Sequence, residues 1–317
     1  MNKYIKIFLI IILFCGLFSC NNEEVFQKEQ YKNVFALVSG TDNVSDWVHD
    51  LRKPESEGYV SASLGGTNPS KKDIQITLVQ DNKLIDNYNN VIFDVNTSKY
   101  IRPLEGSKYT IDSYVFTIPA GEVKASIPVK IRPAGLSPDS SYFIALKVDT
   151  YSAYEVNPDK DYVLYRVQIK NWWSITGGTS YNQRGNILAS GSTGNPVQVF
   201  GTKLLFPLTA TKVRLLAGTE INDTFDEYIY NRYSIVMNIG DDNKINIEPY
   251  KNLEVMQIDG DPDYPNIVVL ENDGFNTYKT FLLCYSYKAS DDVTYVIKEE
   301  LRLEYKEDPQ DPRFLTD

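Results

Sequence analysis

Residues 115–131 read VFTIPAGEVKASIPVKI, and this stretch decides the fold class. Its second half places an apolar residue at every other position, which is the pattern of a strand that buries one face. The apolar members are Val123, Ala125, Ile127, Val129 and Ile131. A turn cluster, Pro119–Glu122, separates this strand from the apolar residues before it. The stretch therefore predicts two strands joined by a turn.

The same alternation occurs elsewhere in the first half of the chain. It is present in Ile74–Leu78, Tyr142–Val148 and Val163–Ile169. A helical apolar stripe is present only weakly, around Asn82–Phe93. Short alternating strands with turns about every 8–12 residues are typical of a β-sandwich. We therefore expect residues 31–170 to form an immunoglobulin-like antiparallel β-sandwich.

The sequence changes in character after Asn171, where a Gly-, Ser- and Asn-rich stretch precedes longer strands. Asp241–Asn243 predicts a hairpin turn between two apolar strands. In the last strand, one face holds Tyr295, Ile297, Glu299, Leu301 and Leu303. So long an alternation suits a barrel or a strongly twisted sheet with one wet face. We expect residues 171–317 to form a C-terminal antiparallel β-barrel or strongly twisted β-sheet, which makes the whole chain all-β.

The first twenty residues predict where the protein is held. Two lysines precede an unbroken apolar run, Ile7–Phe14, and the segment ends in small residues before Cys20. The run is shorter than the ~20 residues with which a helix crosses a bilayer. It predicts a signal peptide over residues 1–19, a lipidated Cys20 and a tether over residues 20–30. The alternative is a plain secretory signal that contains a cysteine.

Charge and cysteine content restrict the partners. Removal of residues 1–19, with Lys3 and Lys6, takes the formal net charge from −10 to −12. So acidic a chain argues against binding nucleic acid, which requires basic patches. Of the three cysteines, Cys284 alone would remain unmodified in the mature chain, so we expect no internal disulfide.

The residue types in the chain give little indication of a catalytic site. The single histidine, His49, is predicted to lie in a loop, and its isolation argues against Ser-His-Asp, Cys-His and His-rich metal sites. Carboxylate pairs suffice for glycoside hydrolysis, and the 42 acidic residues leave that open. The segment 258–263 carries three aspartates and superficially resembles the aspartate-rich motif of chitinase-like endoglycosidases. In that motif apolar residues separate the aspartates and a glutamate ends it, whereas here Tyr264, Pro265 and Asn266 follow. No organic cofactor is expected.

The same aspartates give the one candidate metal site. Asp259, Asp261 and Asp263 are spaced by two residues and could ligate calcium. An EF-hand loop requires glycine at its sixth position and glutamate at its twelfth, where this chain has Tyr264 and Leu270. A solvated acidic turn is the alternative interpretation.

Aromatic residues are the remaining indication of function. Flat aromatic rings bind the apolar C–H faces of sugars, while amides and carboxylates bind the hydroxyl groups. The candidate glycan-binding residues are Trp47, Trp172, Trp173 and Tyr264. Because the two adjacent tryptophans point to opposite faces of a regular strand, one of them is expected to pack into the core or the domain junction.

Residues 109–130 resemble a Bacteroidetes domain of unknown function, in which a strand ends in a turn like Thr117–Glu122 and an amphipathic strand follows. Leu136–Asp139 and Tyr154–Pro158 continue the likeness. Such domains stand at the N-terminus of lipoproteins that are encoded beside SusC/SusD-like glycan importers. Residues 171–317 resemble a smaller β-domain that follows some of them.

The likeness of the second half is clearest in Tyr278–Leu283 and Tyr285–Tyr287. The acidic stretch Asn21–Glu24 resembles a surface-export signal, although an ordinary solvated tether would look the same. The resemblance implies a lipoprotein anchored in the outer membrane and exposed at the cell surface, which binds glycans or assists their uptake. It transfers no functional residues.

The sequence thus predicts a non-catalytic glycan-binding or accessory lipoprotein of a polysaccharide-utilisation system. Its expected partners are an oligosaccharide, the membrane through Cys20, and a SusC/SusD-like importer. The second hypothesis is a structural or adhesive component, either an importer partner or a fimbria-like subunit. A glycosidase is the third.

Overall fold

A computed structural model describes residues 33–66, 68–221 and 226–306. The predicted signal peptide, Cys20 and the tether lie outside these residues, so the lipidation of Cys20 stays a prediction. Neither helix of the described residues has the length and apolar character that a membrane span requires.

The first half of the described chain consists of short strands and one α-helix. The strands are β1 (Val34–Leu37), β2 (Val44–Asp50), β3 (Ser56–Gly65), β4 (Ile74–Gln80), β5 (Arg102–Pro103), β6 (Tyr109–Thr110), β7 (Val115–Ile118), β8 (Lys124–Ile131), β9 (Tyr142–Tyr151), β10 (Glu155–Val156) and β11 (Tyr162–Lys170). Helix α1 (Lys83–Ile92) follows β4 and buries Ile85 and Asn89, which lie one turn apart on one face.

These strands form the two sheets of a sandwich. One sheet has the order β10-β1-β3-β8-β6, and the other has the order β2-β11-β9-β4-β7 with β5 beside β9. Most neighbours are antiparallel, as predicted, but β1 with β10, β2 with β11, and β5 with β9 run parallel. The core between the sheets is apolar, and Ile127, Val129 and Ile131 of the opening stretch lie within it.

The second half contains longer strands and a second short helix. The strands are β12 (Thr179–Ala189), β13 (Val197–Pro207), β14 (Lys212–Leu216), β15 (Ser234–Ile239), β16 (Ile245–Pro249), β17 (Val255–Gln257), β18 (Ile267–Asn272), β19 (Thr277–Lys288) and β20 (Thr294–Tyr305). Helix α2 (Glu227–Tyr233) begins after Asp226, whose carboxylate accepts a hydrogen bond from the Tyr228 amide at 2.8 Å.

The nine strands form one curled antiparallel sheet. Its order is β16-β15-β14-β13-β12-β20-β19-β17, with β18 also paired to β19. The two ends of the sheet approach each other, since the Ile247 amide of β16 donates to the Gln257 side chain of β17 at 2.7 Å. The prediction of an all-β chain with a sandwich followed by a barrel-like sheet is confirmed.

Local predictions met mixed outcomes. The final strand is alternating as predicted, and Ile297, Glu299 and Leu301 all point into the barrel. The weak helical stripe is helix α1, whereas α2 was not predicted. His49 was expected in a loop but lies in β2, buried against the Tyr165 hydroxyl at 3.0 Å from its Nε2.

Candidate functional site

The two halves of the chain are joined through Asn171. Every sheet takes its strands from one side of this residue. The buried Asn171 side chain accepts hydrogen bonds from the amides of Trp173 and Ser174, each at 2.9 Å. It donates to the Thr209 carbonyl at 2.8 Å, so it ties the linker to the turn before β14.

A buried ion pair forms the second contact between the halves. Arg214 of β14 donates from both terminal nitrogens to the two carboxylate oxygens of Asp139, each at 2.6 Å. Asp139 belongs to the loop before β9, and the Arg214 side chain has no exposed surface. Such bidentate charge-assisted contacts are among the strongest hydrogen bonds in proteins. The pair therefore links the two domains directly.

Aromatic rings enclose the Arg214 guanidinium on its remaining sides. Its central carbon lies 5.2 Å from the ring centre of Phe206, 4.7 Å from Tyr230 and 4.8 Å from Tyr250. Burial disfavours the charged guanidinium, but the hydrogen bonds and charge of Asp139 outweigh this and raise the pKa of Arg214. The arginine is thus a permanent cation held between rings and a carboxylate.

A cleft of about 420 Å³ lies beside this pair, between the two domains. Its apolar lining consists of Phe93, Tyr100, Pro138, Leu204, Phe206 and Tyr230. Its polar lining consists of Ser98, Lys99, Asp139, Ser141 and the backbone at Gly177. Concave sites of this size, with aromatic walls and a few polar groups, are typical of small-molecule binding and favour domain interfaces. We name this site the junction cleft.

Local contacts hold the walls of the junction cleft. The buried Asn89 amide of α1 donates to the Ile101 carbonyl at 3.0 Å and accepts from the Ile101 amide at 2.8 Å, which fixes the loop that carries Phe93 and Tyr100. On the other wall, Gly178 has φ +88°, and a Cβ there would lie 3.1 Å from the Phe206 ring. The glycine therefore allows the linker to pass close to that ring.

A second polar cluster lies inside the barrel. The fully buried Glu299 accepts hydrogen bonds from the Tyr285 hydroxyl and the Gln183 amide, both at 2.6 Å. Lys203 donates to the carbonyls of Leu216 at 2.9 Å and Glu220 at 3.1 Å.

Burial dominates the ionisation of this cluster. It lowers the pKa of Lys203 to about 8, against the opposing charges of Glu299 and Glu220. It also raises the pKa of Glu299, although Lys203 and the two hydrogen bonds oppose the rise. The cluster holds the loop after β14 against the barrel interior.

The predicted glycan-binding residues do not come together in the junction cleft. Trp47 lies half-buried on β2, stacked on the buried Tyr165 with ring centres 6.2 Å apart. Its ring also makes an edge contact with Tyr59, which is 40% exposed, with ring centres 5.7 Å apart. Its role as a glycan contact stays a prediction.

The tandem tryptophans pack inward rather than toward solvent. Trp173 is 6% exposed and belongs to the barrel core, against Phe281, so it cannot present a ring face to a sugar. Trp172 is half-buried, and the Lys279 ammonium lies 3.8 Å from its ring centre. Tyr305 approaches the same ammonium at 4.7 Å. These rings close one end of the barrel around a buried lysine.

The three aspartates do not form the predicted calcium site. Asp259 accepts from Gln257 at 2.6 Å, and Asp261 pairs with Lys298 and accepts the amides of Asp263 and Tyr264. Among the residues that the structure describes, no group of three or more His, Cys, Asp and Glu side chains is arranged to hold a metal ion. The aspartates instead stabilise their own turn, and the half-buried Tyr264 lies beside it.

Sequence reasoning missed the residues of the junction cleft. Phe93 ends the weak helical stripe, Tyr100 lies in the polar segment after it, and Tyr230 lies on the unpredicted helix α2. For Tyr100, the one available signal was an isolated aromatic residue in a polar loop. It could not show that loops about 110 to 130 positions apart face each other, because that depends on the domain arrangement.

Two protein-family models match adjacent parts of the chain. A model of an N-terminal domain matches residues 26–155, and a model of a C-terminal domain matches residues 161–302. The two matches meet between residues 155 and 161, so the second match includes β11 as well as the linker at Asn171. No curated protein matches the chain.

Solved structures from Bacteroides are similar to the chain across both domains. A multidomain protein including DUF1735 from Bacteroides ovatus has a TM-score of 0.63 at 15% identity, over 85% of this chain and 94% of that one. A protein of unknown function from the same species has a TM-score of 0.61 at 16% identity, over 87% and 95%. An auxiliary nutrient binding protein from Bacteroides thetaiotaomicron has a TM-score of 0.60 at 15% identity, over 83% and 91%. The chain is therefore similar in fold to these Bacteroides proteins.

Proposed function

We propose that this protein is a non-catalytic accessory lipoprotein that binds an oligosaccharide in the junction cleft. The observation that carries the proposal is the cleft itself, a concavity of about 420 Å³ with aromatic walls and polar groups at the domain junction. Half-buried Phe93 and Tyr100 offer ring surface, while Ser98, Lys99 and Ser141 offer hydrogen bonds to hydroxyl groups.

The lining of the cleft argues for binding rather than hydrolysis. Glycosidases of the usual kind need two carboxyl groups across the scissile bond. Of the residues that line the cleft in the described chain, Asp139 alone carries a carboxyl group, and Arg214 engages both of its oxygens. A carboxylate so held is a poor general acid or nucleophile.

The comparisons support the accessory role by analogy. One structural neighbour is described as an auxiliary nutrient binding protein, and the neighbours named above come from Bacteroides. With the predicted lipid on Cys20, we propose an outer-membrane, cell-surface location and a place beside a SusC/SusD-like importer. Replacement of Cys20 by serine should release the protein from membranes or leave it unprocessed.

Calorimetry against a panel of short oligosaccharides tests the cleft. We expect micromolar-to-millimolar affinity, about −4 to −8 kcal/mol, for at least one sugar. Tyr100→Ala should weaken binding severalfold because it removes ring surface, whereas Tyr100→Phe keeps the ring and should bind like the wild type. Phe275→Ala is the control, since Phe275 is 95% exposed and lies outside the cleft.

The same experiment separates the alternatives. If no sugar binds to the wild-type protein, the structural or adhesive hypothesis is favoured. If sugar binds but Tyr100→Ala changes nothing, the site is elsewhere, and Trp47 and Tyr264 become the residues to replace. Release of reducing sugar would show a glycosidase.

A further inference from the structure

The outer face of β13 carries a row of exposed side chains that leads away from the junction cleft. Phe200, Thr202 and Leu204 are exposed, Phe200 to 70%, and alternate with the inward-pointing Lys203. Leu204 lines the cleft. At ~3.4 Å per strand residue, the row extends the cleft by about 14 Å toward Phe200.

A second depression connects this row with the cleft. A cavity of about 180 Å³ is walled by Thr202, Leu204, Glu220 and Tyr230, among others. Leu204 and Tyr230 also line the junction cleft, so the two concavities adjoin. The Thr202 hydroxyl and the Glu220 carboxylate supply hydrogen-bonding groups along the way.

The charges around Phe200 balance each other. Arg184 of β12 lies directly opposite Phe200 in the register, and Glu300 of β20 lies directly opposite Arg184. Farther along β20, Lys298 is paired with Asp261. A face with balanced charge and an exposed ring suits a neutral, hydroxyl-rich ligand better than a charged one.

We propose that the junction cleft and the outer face of β13 form one track that binds an extended, neutral polysaccharide chain. A few sugar units occupy the cleft, and the chain continues past Thr202 to stack on Phe200, with Arg184 and Glu300 as hydrogen-bonding partners. The inference rests on the proposed sugar binding in the cleft, and it adds the class of ligand and the direction in which the ligand runs.

Chain length is the test. The wild-type protein is titrated with a disaccharide and with long oligosaccharides of the same neutral sugar, chosen from the series that binds. We expect affinity to rise severalfold with length. Phe200→Ala should remove that gain and leave the disaccharide affinity within about twofold, because stacking on one ring changes affinity by this order. Phe200→Tyr keeps a ring and should restore the gain.

Val197→Ala is the matched control, since Val197 is a 66% exposed apolar residue at the start of the same strand. Equal affinity for short and long oligosaccharides would overturn the track and leave the cleft intact. The track would also be overturned if affinity rises with oligosaccharide length and Phe200→Ala leaves that rise unchanged. Binding that depends on Phe200 but not on Tyr100 would overturn the proposed cleft and, with it, the track. Absence of any binding would overturn both.

Discussion

The two domains differ in the charged residues that they bury. The sandwich core is apolar, and Asp50 is its one buried residue among the charged types Asp, Glu, Lys and Arg in the described chain. The second domain buries four such residues in the part that the structure describes. They are Lys203, Arg214, Lys279 and Glu299. Each of these four has its own hydrogen-bonding or aromatic partners.

The buried charges of the second domain have a physical cause, and they make that domain sensitive to the loss of a charged partner. Two flat sheets can interdigitate apolar side chains throughout, whereas a curled sheet must also satisfy the loops that fold over its ends. Lys203 and Arg214 bind such loops and the neighbouring domain. Buried charges contribute little net stability while paired, but the loss of one partner is expensive. The barrel should therefore be the domain more sensitive to single substitutions of polar residues.

The largest expected effect follows from Lys203→Met. The substitution leaves Glu299 without a neighbouring positive charge and the Leu216 and Glu220 carbonyls without a donor. We expect a loss of about 3–5 kcal/mol in the free energy of unfolding, measured by urea denaturation. The double variant Lys203→Met/Glu299→Gln should recover part of the loss. A single-variant loss below about 1 kcal/mol would contradict the role assigned to this cluster.

The next largest effect is a pH dependence of the free energy of unfolding, which arises from His49 in the sandwich. Burial lowers the pKa of His49 from 6.5 to about 4, so between these values the unfolded chain binds a proton that the folded chain does not. The free energy of unfolding should therefore fall as the pH drops from 6.5 toward 4, by about 3 kcal/mol in total. His49→Gln is neutral at every pH and should flatten this part of the profile. Parallel profiles for the two proteins would show that His49 is not the group responsible.

The Asp139–Arg214 pair joins the two regions and gives an intermediate effect. Asp139→Ala leaves the fully buried guanidinium without its carboxylate, which should lower the free energy of unfolding by about 2–3 kcal/mol. Calorimetry should then resolve two thermal transitions, one for each domain. Asp139→Asn keeps one acceptor oxygen and should fall between the wild type and the alanine variant. An unchanged, single transition in Asp139→Ala would show that this pair does not couple the domains.

Separate fragments sharpen the same comparison. We expect fragments 31–170 and 171–317 each to be soluble and to unfold cooperatively, because no sheet among the described residues crosses Asn171. In the second fragment Arg214 would face water, which removes the penalty that the intact Asp139→Ala protein suffers. Aggregation of both fragments would mean that the halves need each other to fold.

The sequence predicted what depends on local pattern. Alternation identified the strands, and it placed Glu299 on the same face as Ile297 and Leu301, which proved to be the interior. The pattern could not show that the buried Glu299 carboxylate would accept hydrogen bonds from Tyr285 and Gln183, because those two residues lie on other strands. Arg214 is 75 positions from Asp139, and no local signal indicates that the two residues pair.

The candidate site was less predictable than the fold for the same reason. Trp173 was a reasonable glycan candidate by residue type, but the closure of the barrel end buries it. The junction cleft combines Phe93 and Tyr100 from one domain with Phe206 and Tyr230 from the other. Its shape follows from the domain arrangement, which alternation within single strands does not encode.

The smallest expected effect comes from Lys212, which lies on β14 two residues before Arg214. Its ammonium lies 3.1 Å from a Glu248 oxygen, but the two side chains are 35% and 38% exposed. Exposed pairs of this kind contribute between about 0 and 1 kcal/mol, since water screens the charges and both side chains lose conformational freedom. Lys212→Met should therefore change the free energy of unfolding by less than about 1 kcal/mol, and added salt should reduce the difference further. The measurement is urea denaturation of Lys212→Met and Asp139→Ala at low and high salt. It compares two ion pairs whose cations lie on the same strand, β14, and which differ chiefly in burial. A Lys212→Met effect as large as that of Asp139→Ala would show that burial does not explain why the barrel depends on its charges.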